Sequence, residues 1–372
     1  MQRPKLSFRP SHDERARQSY VGAIKGYTNM IVQADLEREI EDIIVPEVQK
    51  KKKCDELSRK DIEKQSARLP IYALWSNLTF HSQDMLFRTV EETVSRTKSD
   101  EEAIAETLTG RPDKKGSLTI DEKLKVSPPV SNVEIHRMPG GYVSESDEND
   151  LSAARVYSGT IEIYRNAKAM GDGSSAGSDA IGQFTAQTVK NYFPELKPLR
   201  ILDLGCGTGE QTVAFKRAFP EAEVFGLDAA APLLRFAHAW AESEDLEVHF
   251  QHANAQATEF PDDHFDLIVS HILFHETSRS VMPKVMAEAH RILAPGGVFL
   301  NLDVPYQPAV TPLPRQVTNH WQVVNNGEPF WTGFAESDVE SLLKRSGFSE
   351  PQVFAKYEQF GSGKYFVFGG SK

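Results

Sequence analysis

The stretch Arg200 to Gly209, RILDLGCGTG, limits the fold more than any other part of the chain. A short apolar run, Leu199 to Leu202, leads into Asp203. Gly205, Gly207 and Gly209 then follow at alternate positions, and TVAFKRAF continues with helical spacing. Glycines placed in this way let a backbone turn sharply between strand and helix and come close to a ligand. Beyond this turn, short apolar runs alternate with amphipathic stretches: AEVFGLD, APLLRFAHAWA, LEVHFQ, FDLIVS, MPKVMAEAHRIL and GVFLNLDV. That alternation predicts an α/β fold, a doubly wound and mostly parallel sheet with helices on both faces. The helical SDVESLLKRSGF and the runs PQVFAKY and GKYFVFGG suit a final helix and an antiparallel pair at the sheet edge.

The first half has a different pattern. Between Tyr20 and Val48, the residues Ile31, Ile40, Ile43, Ile44 and Val48 recur at mostly helical spacing, which predicts an amphipathic helix with breaks. After Pro70, Leu74 and Leu78, then Leu86, Val90 and Val94, repeat every four residues and predict a second helix. From Thr109 to Asp150, glycines, prolines and the acidic tract SESDEND predict a linker or long loop. The expected organisation is a helical N-terminal domain over 1–110, a linker over 111–150 and a ligand-binding domain over 151–372. Within the last, MGDGSSAGSD is expected to be a mobile loop, with Tyr157 and Tyr164 before it as lid candidates or packing residues.

Composition excludes several classes. A chain of 372 residues with 40% hydrophobic and 26% charged residues is ordinary globular material for two folded units. Its net charge of −11 gives phosphate backbones no broad attraction, so no nucleic-acid partner is expected. The run Lys50 to Lys53 is flanked by Glu47, Asp55 and Glu56 and reads as a solvated helix end. No apolar run approaches the roughly 20 residues of a membrane span, and the start lacks the apolar core of a signal peptide. Two cysteines, Cys54 and Cys206, provide no disulfide framework; a cytoplasmic protein without a membrane partner is expected.

The glycine turn carries the chemistry. A carboxylate directly before it would repel a pyrophosphate but attract an ammonium group, so the ligand is expected to be cationic at that end. Asp228 closes the run VFGLD, 25 residues after Asp203, where a carboxylate can accept hydrogen bonds from both hydroxyls of a ribose. LDLGCGTG, FGLD, FDLIVS and HRILAPGG, in this order between Arg200 and Val304, resemble the class I S-adenosylmethionine-dependent methyltransferases, particularly their small-molecule, UbiE-like branch. The resemblance implies a seven-stranded Rossmann-like sheet, S-adenosyl-L-methionine as cofactor and a small-molecule methyl acceptor. It places Asp203, Gly205, Cys206 and Gly207 at the amino-acid end of the cofactor and Asp228 at the ribose. Leu227 and Ala229 then flank the adenosine, Asn254 and Ala255 lie beside the adenine, and Ser270 and His271 lie next to the sulfonium.

For catalysis, His275 and His271 are the candidate bases, with His275 nearer the acceptor, because an ordinary imidazole titrates close to neutrality. Packing at a helix start is the alternative for both. His271 and His275, four apart and followed by Glu276, could share a helical ligand face, but no third anchored ligand is evident, so no metal is expected. Trp321, Trp331 and His320 fall where a substrate-covering segment would lie, and the tryptophans serve equally well as core. The N-terminal helices are expected to form a lid, a substrate wall or a homodimer interface. A nicotinamide-dependent oxidoreductase and a non-catalytic cofactor-binding protein are the competing readings.

Overall fold

The computed structural model describes residues 6–126, 128–167, 179–305, 307–350, 352–361 and 363–372. The expected mobile loop, residues 170–179, lies outside them except for Asp179. Eight strands form one sheet: β1 Ser117–Thr119, β2 Arg200–Leu204, β3 Glu223–Asp228, β4 His249–His252, β5 Phe265–His271, β6 Leu293–Asp303, β7 Phe354–Phe360 and β8 Gly363–Ser371. Their order is β1-β4-β3-β2-β5-β6-β8-β7. The first six are parallel, while β8 runs antiparallel between β6 and β7, as the two C-terminal apolar runs predict. The order turns outward in both directions from β2 and β5, the place where doubly wound sheets open a crevice at the strands' carboxyl ends.

The seven strands implied by the resemblance are all present. The eighth, β1, comes from the segment read as a linker. Gly116 lets it in, because a Cβ there would lie 2.0 Å from the carbonyl oxygen of Val248. The buried carboxylate of Glu242 accepts the backbone N–H groups of Lys115 at 3.0 Å and Gly116 at 2.7 Å, which fixes the approach.

The N-terminal helices follow the apolar spacing in part: Ile40, Ile44, Val48, Leu86, Val90 and Val94 are buried, whereas Ile31, Ile43 and Leu74 face outward. His12 to Lys52 is one helical path with two π turns, Thr28–Val32 and Ile40–Ile44, and Leu36, Ile40, Ile44 and Val48 are buried along it. Pro70–Thr109 is a single 40-residue helix. Near its start, Trp75 packs against Leu36, Ile40, Ile62 and Trp321; further along, Leu86, Val90 and Val94 pack with Ala154, Ile163, Leu233 and Phe236. The helix Ser152–Asn166 thus lies in one core with the N-terminal helices and the sheet-covering helix Ala231–Ser243. On the sheet's other side, Ile201, Val224, Leu267, Val269 and Leu300 are covered by Ala186, Val189 and Phe215.

Candidate active site

One cavity opens at the carboxyl ends of β2, β3 and β5. Its wall includes Asp203, Gly205, Cys206, Gly207, Leu227, Asp228, Ala229, Asn254, Ala255 and His271. The loop after β2 is built by its glycines. Gly205, Gly207 and Gly209 have φ of 67°, 52° and 86°, in the left-handed region open to glycine. A Cβ on Gly205 would also lie 2.7 Å from the Leu273 side chain. The amides of Gly205 and Cys206 both donate to the Leu227 carbonyl, at 2.7 and 3.0 Å, which folds the loop onto β3.

Three carboxylates surround this loop. Asp203 is buried and accepts from Gln211 Nε2 and Thr212 Oγ1, each at 2.7 Å. Burial outweighs those bonds and raises its pKa to about 7, with the neighbouring Asp228 and Glu210 charges acting in the same direction. Asp228 accepts the Gly207 amide through Oδ2 and the Ala230 amide through Oδ1, both at 2.9 Å; burial raises its pKa as well. Glu210 accepts from Thr208 Oγ1 at 2.6 Å and is likewise shifted upward by burial. With Glu276, the described wall carries four acids against one cationic side chain, Lys125. That balance repels a pyrophosphate and suits a cation.

Several expected residues occupy other positions. Ser270 is fully buried, donates to Asn301 Oδ1 at 2.6 Å and is not on the cavity wall. Asn254 is on the wall, but its amide oxygen already accepts the Gln256 backbone N–H at 2.9 Å, so its expected bond to an adenine competes with a turn. His271 lines the cavity, and its Nε2 is buried without a hydrogen-bond partner. Burial lowers its pKa to about 4, which makes the ring neutral near pH 7.

His275 requires a correction. It lies behind the wall in the 3-10 turn Phe274–Glu276 and is 4% exposed. Burial alone would lower its pKa, but Asp303, bonded to Nδ1 at 2.6 Å, together with Glu276 and Glu328, raises it to about 9. A histidine protonated at neutral pH has no free lone pair, so it does not fit the expected base. Because Phe274–Glu276 forms a 3-10 turn, His271 and His275 share no helical ligand face. Among the described residues, no group of three or more histidine, cysteine, aspartate or glutamate side chains is arranged to hold a metal ion.

The covering segment is also redistributed. Trp321 packs on Trp75, with ring centroids 5.0 Å apart, and His320 Nδ1 pairs with Glu63 at 2.6 Å, so the helix Leu313–Asn325 docks on the N-terminal helices. Trp331 is 6.3 Å from the His275 ring. Among the described residues of this stretch, Phe330 reaches the cavity wall. Tyr157 lines the cavity, whereas Tyr164 donates to Gln83 Oε1 at 3.1 Å.

The opposite wall, which the sequence pattern did not reveal, comes largely from residues 111–150. Leu124, Val126, Val130, Ile135 and Tyr142 line it, opposed by Leu273, Val281 and Val285. Irregular backbone has no apolar period, and only the isolated branched and aromatic residues among the prolines and glycines hinted at burial.

A Rossmann-like sheet, a glycine turn after its central strand, an acid before the turn and an acid closing the next strand are the features that the resemblance to class I S-adenosylmethionine-dependent methyltransferases implies. Comparison with known proteins agrees: residues 201–297 match the family described as "Methyltransferase domain". Over 114 residues the chain is 42% identical to the demethylmenaquinone methyltransferase of Thermus thermophilus, a match covering 31% of this chain and 51% of that protein. It is 33% identical to the malonyl-[acyl-carrier protein] O-methyltransferase of Methylococcus capsulatus, covering 37% and 48%. The solved YcgJ protein of Bacillus subtilis is 25% identical, with a TM-score of 0.37 over 48% of this chain and 75% of that one. The chain spans about half the length of the curated relatives it matches.

Proposed function

We propose that this protein transfers a methyl group from S-adenosylmethionine to a small, largely apolar acceptor. The observation that carries the reading is the concentration of Asp203, Glu210 and Asp228 around the glycine turn on the same cavity as an apolar wall. The cofactor supplies, when bound, a methyl group already activated by a positive sulfur. Asp203 would receive its ammonium group, with Gly205, Cys206 and Gly207 leaving room for the amino-acid end. Asp228 would accept from the ribose hydroxyls, Leu227 and Ala229 would flank the adenosine, and Asn254 and Ala255 would meet the adenine. Neutral His271, with its unpartnered Nε2, would sit beside the sulfur. The apolar wall would hold the acceptor and exclude water, which is most of what an in-line transfer requires.

The relatives that act on demethylmenaquinone and on malonyl-acyl carrier protein illustrate two acceptor types, a quinone-related ring and a carboxylate. The apolar wall favours the first. Within the partition 1–110, 111–150 and 151–372, the acceptor side would be completed by residues 111–150, and the N-terminal helices would support that segment from behind. Exposed Tyr20, Tyr27, Met30, Ile31 and Ile43 on those helices support a homodimer contact. The net charge of −11 argues against a nucleic-acid partner. Free Cys54 and Cys206 fit a reducing cytoplasm, and among the described residues no helix is long and apolar enough to cross a membrane.

Calorimetry with S-adenosylmethionine and with nicotinamide dinucleotides tests the cofactor. Mass spectrometry of a cell extract incubated with the protein and methyl-labelled cofactor then identifies the acceptor. Binding of a nicotinamide dinucleotide without binding of the sulfonium would overturn the reading.

A further inference from the structure

Glu276 faces the same cavity from the 3-10 turn Phe274–Glu276 that follows β5. Its side chain is 20% exposed, and its protein contacts all converge on one oxygen. Oε1 accepts from Tyr142 Oη at 3.1 Å, lies 3.4 Å from His136 Nε2 and is 3.8 Å from His275 Nε2. Tyr142 and His136 come from one distant stretch of chain, and His275 is the neighbouring residue. Two of them are histidines whose pKa values carboxylates hold above the usual range against burial: Glu328 and Glu276 around His136, Asp303 and Glu276 around His275.

The position of His136 is itself constrained. Its φ is 55° and that of Arg137 is 61°, left-handed values that non-glycine residues rarely adopt. The Gly327 carbonyl accepts the His136 amide at 3.1 Å, Glu328 pairs with its Nδ1, and Gln83 donates to its carbonyl at 2.9 Å. Strain fixed by so many contacts is characteristic of functional sites. Here it holds Oε1 of Glu276 in place. Oε2 has no protein partner among the described residues and is not enclosed.

We propose that Glu276 is the residue that accepts the proton of the methyl acceptor, and that the acceptor carries a neutral, acidic hydroxyl on an apolar ring rather than a carboxylate. Val130, Ile135, Tyr142, Tyr157, Val281 and Phe330 form the apolar surroundings for such a ring. The described cavity wall carries Asp203, Glu210, Asp228 and Glu276 against the single Lys125, so an anionic acceptor would meet an excess of like charge. In the transfer, a lone pair of the hydroxyl oxygen forms the bond to the methyl carbon, the O–H bond breaks and its proton passes to Glu276 Oε2. The electron pair of the broken carbon–sulfur bond stays on sulfur, which becomes a neutral thioether. His136 and Tyr142 act as positioning residues. This inference rests on the methyltransferase reading.

The test uses the full-length protein, 2-naphthol and 2-naphthoate as probes, and S-adenosylhomocysteine as a control, with binding measured calorimetrically. Wild type should bind 2-naphthol and bind 2-naphthoate at least about tenfold more weakly, the discrimination one charge-assisted hydrogen bond provides. Glu276→Gln keeps the shape and an oxygen for Tyr142. It should lose about tenfold for 2-naphthol, gain for 2-naphthoate and bind S-adenosylhomocysteine as wild type does. Tyr142→Phe, which leaves the carboxylate but frees its aim, should lose less for 2-naphthol. Equal binding of the two probes by wild type, no binding of 2-naphthol, or no effect of Glu276→Gln would overturn the proposal. Absence of S-adenosylhomocysteine binding to wild type would instead overturn the methyltransferase reading on which it rests.

Discussion

His275 Nδ1 and Asp303 Oδ1 lie 2.6 Å apart at the point where β6 ends and the turn after β5 begins. Asp303 also accepts the amides of Phe274 and Val304, at 2.9 and 2.8 Å, so one carboxylate ties the imidazole to the two loops that shape the cavity. The pair therefore acts as a brace, and its charge state sets the stability of that corner.

The pKa of His275 in the folded protein, about 9, exceeds the ordinary value of 6.5. A group raised on folding contributes stability that is present below its unfolded pKa and lost as pH rises through the folded one. The melting temperature should therefore fall between pH 6.5 and about 9, by up to on the order of 3 kcal/mol in stability. Asp303→Asn should flatten this dependence while lowering stability at pH 6. A parallel pH profile for both proteins would show that the pair does not govern it.

Asp203 has the opposite consequence. An acid raised to about 7 binds a proton near neutrality, and an ammonium ligand favours the ionised form. Affinity for S-adenosylmethionine should increase from pH 6 to pH 8, with proton release on binding below pH 7. Calorimetry in two buffers of different ionisation enthalpy counts those protons. Asp203→Asn should weaken the pH dependence, leaving the part due to Asp228 and Glu210, and remove most of the affinity.

Asp228 and Asn254 separate the ribose and adenine assignments. Asp228→Ala removes the anchor of the Gly207 and Ala230 amides together with the two charge-assisted bonds expected to the ribose, each worth roughly 1.5–3 kcal/mol. Asn254→Ala should cost about 1 kcal/mol, since its oxygen already serves the turn at Gln256. Equal losses in S-adenosylhomocysteine affinity would contradict both assignments.

Gly205→Ala tests the turn itself. The added methyl would meet the Leu273 side chain at 2.7 Å at a φ of 67°, so affinity for the cofactor and stability should fall together. Adding Leu273→Ala should restore part of the loss by removing the contact, leaving the backbone strain. No recovery in the double variant would assign the whole effect to the backbone.

Much of this arrangement was legible in the sequence because it repeats with a period. The strands from Arg200 to Asp303 and the helix turns over Leu86 to Val94 follow from apolar spacing, and Asp203, Gly205 and Asp228 follow from their places at strand ends. What escaped was set by tertiary contacts. Ser270 points away from the ligand because the side chains of a strand alternate between its two faces, and its hydroxyl found Asn301. His275 could not be ranked as a base without Asp303, 28 residues away, whose charge alters its titration. Glu276 looked like a companion to two histidines in a metal pattern; its partners His136 and Tyr142 lie in irregular backbone with no period to reveal them.

The strand β1 has a consequence for solubility. It is three residues long, yet it lies along the side of β4 that would otherwise present unpaired N–H and C=O groups to solvent. Such an open edge recruits strands from other chains, and covering it is one of the ways sheet proteins avoid aggregation. At the other end, β7 places Lys356 and Glu358 on the outermost strand, where charge discourages the same recruitment. A residue bulkier than glycine at 116 would push β1 away from Val248 and reopen that side of β4.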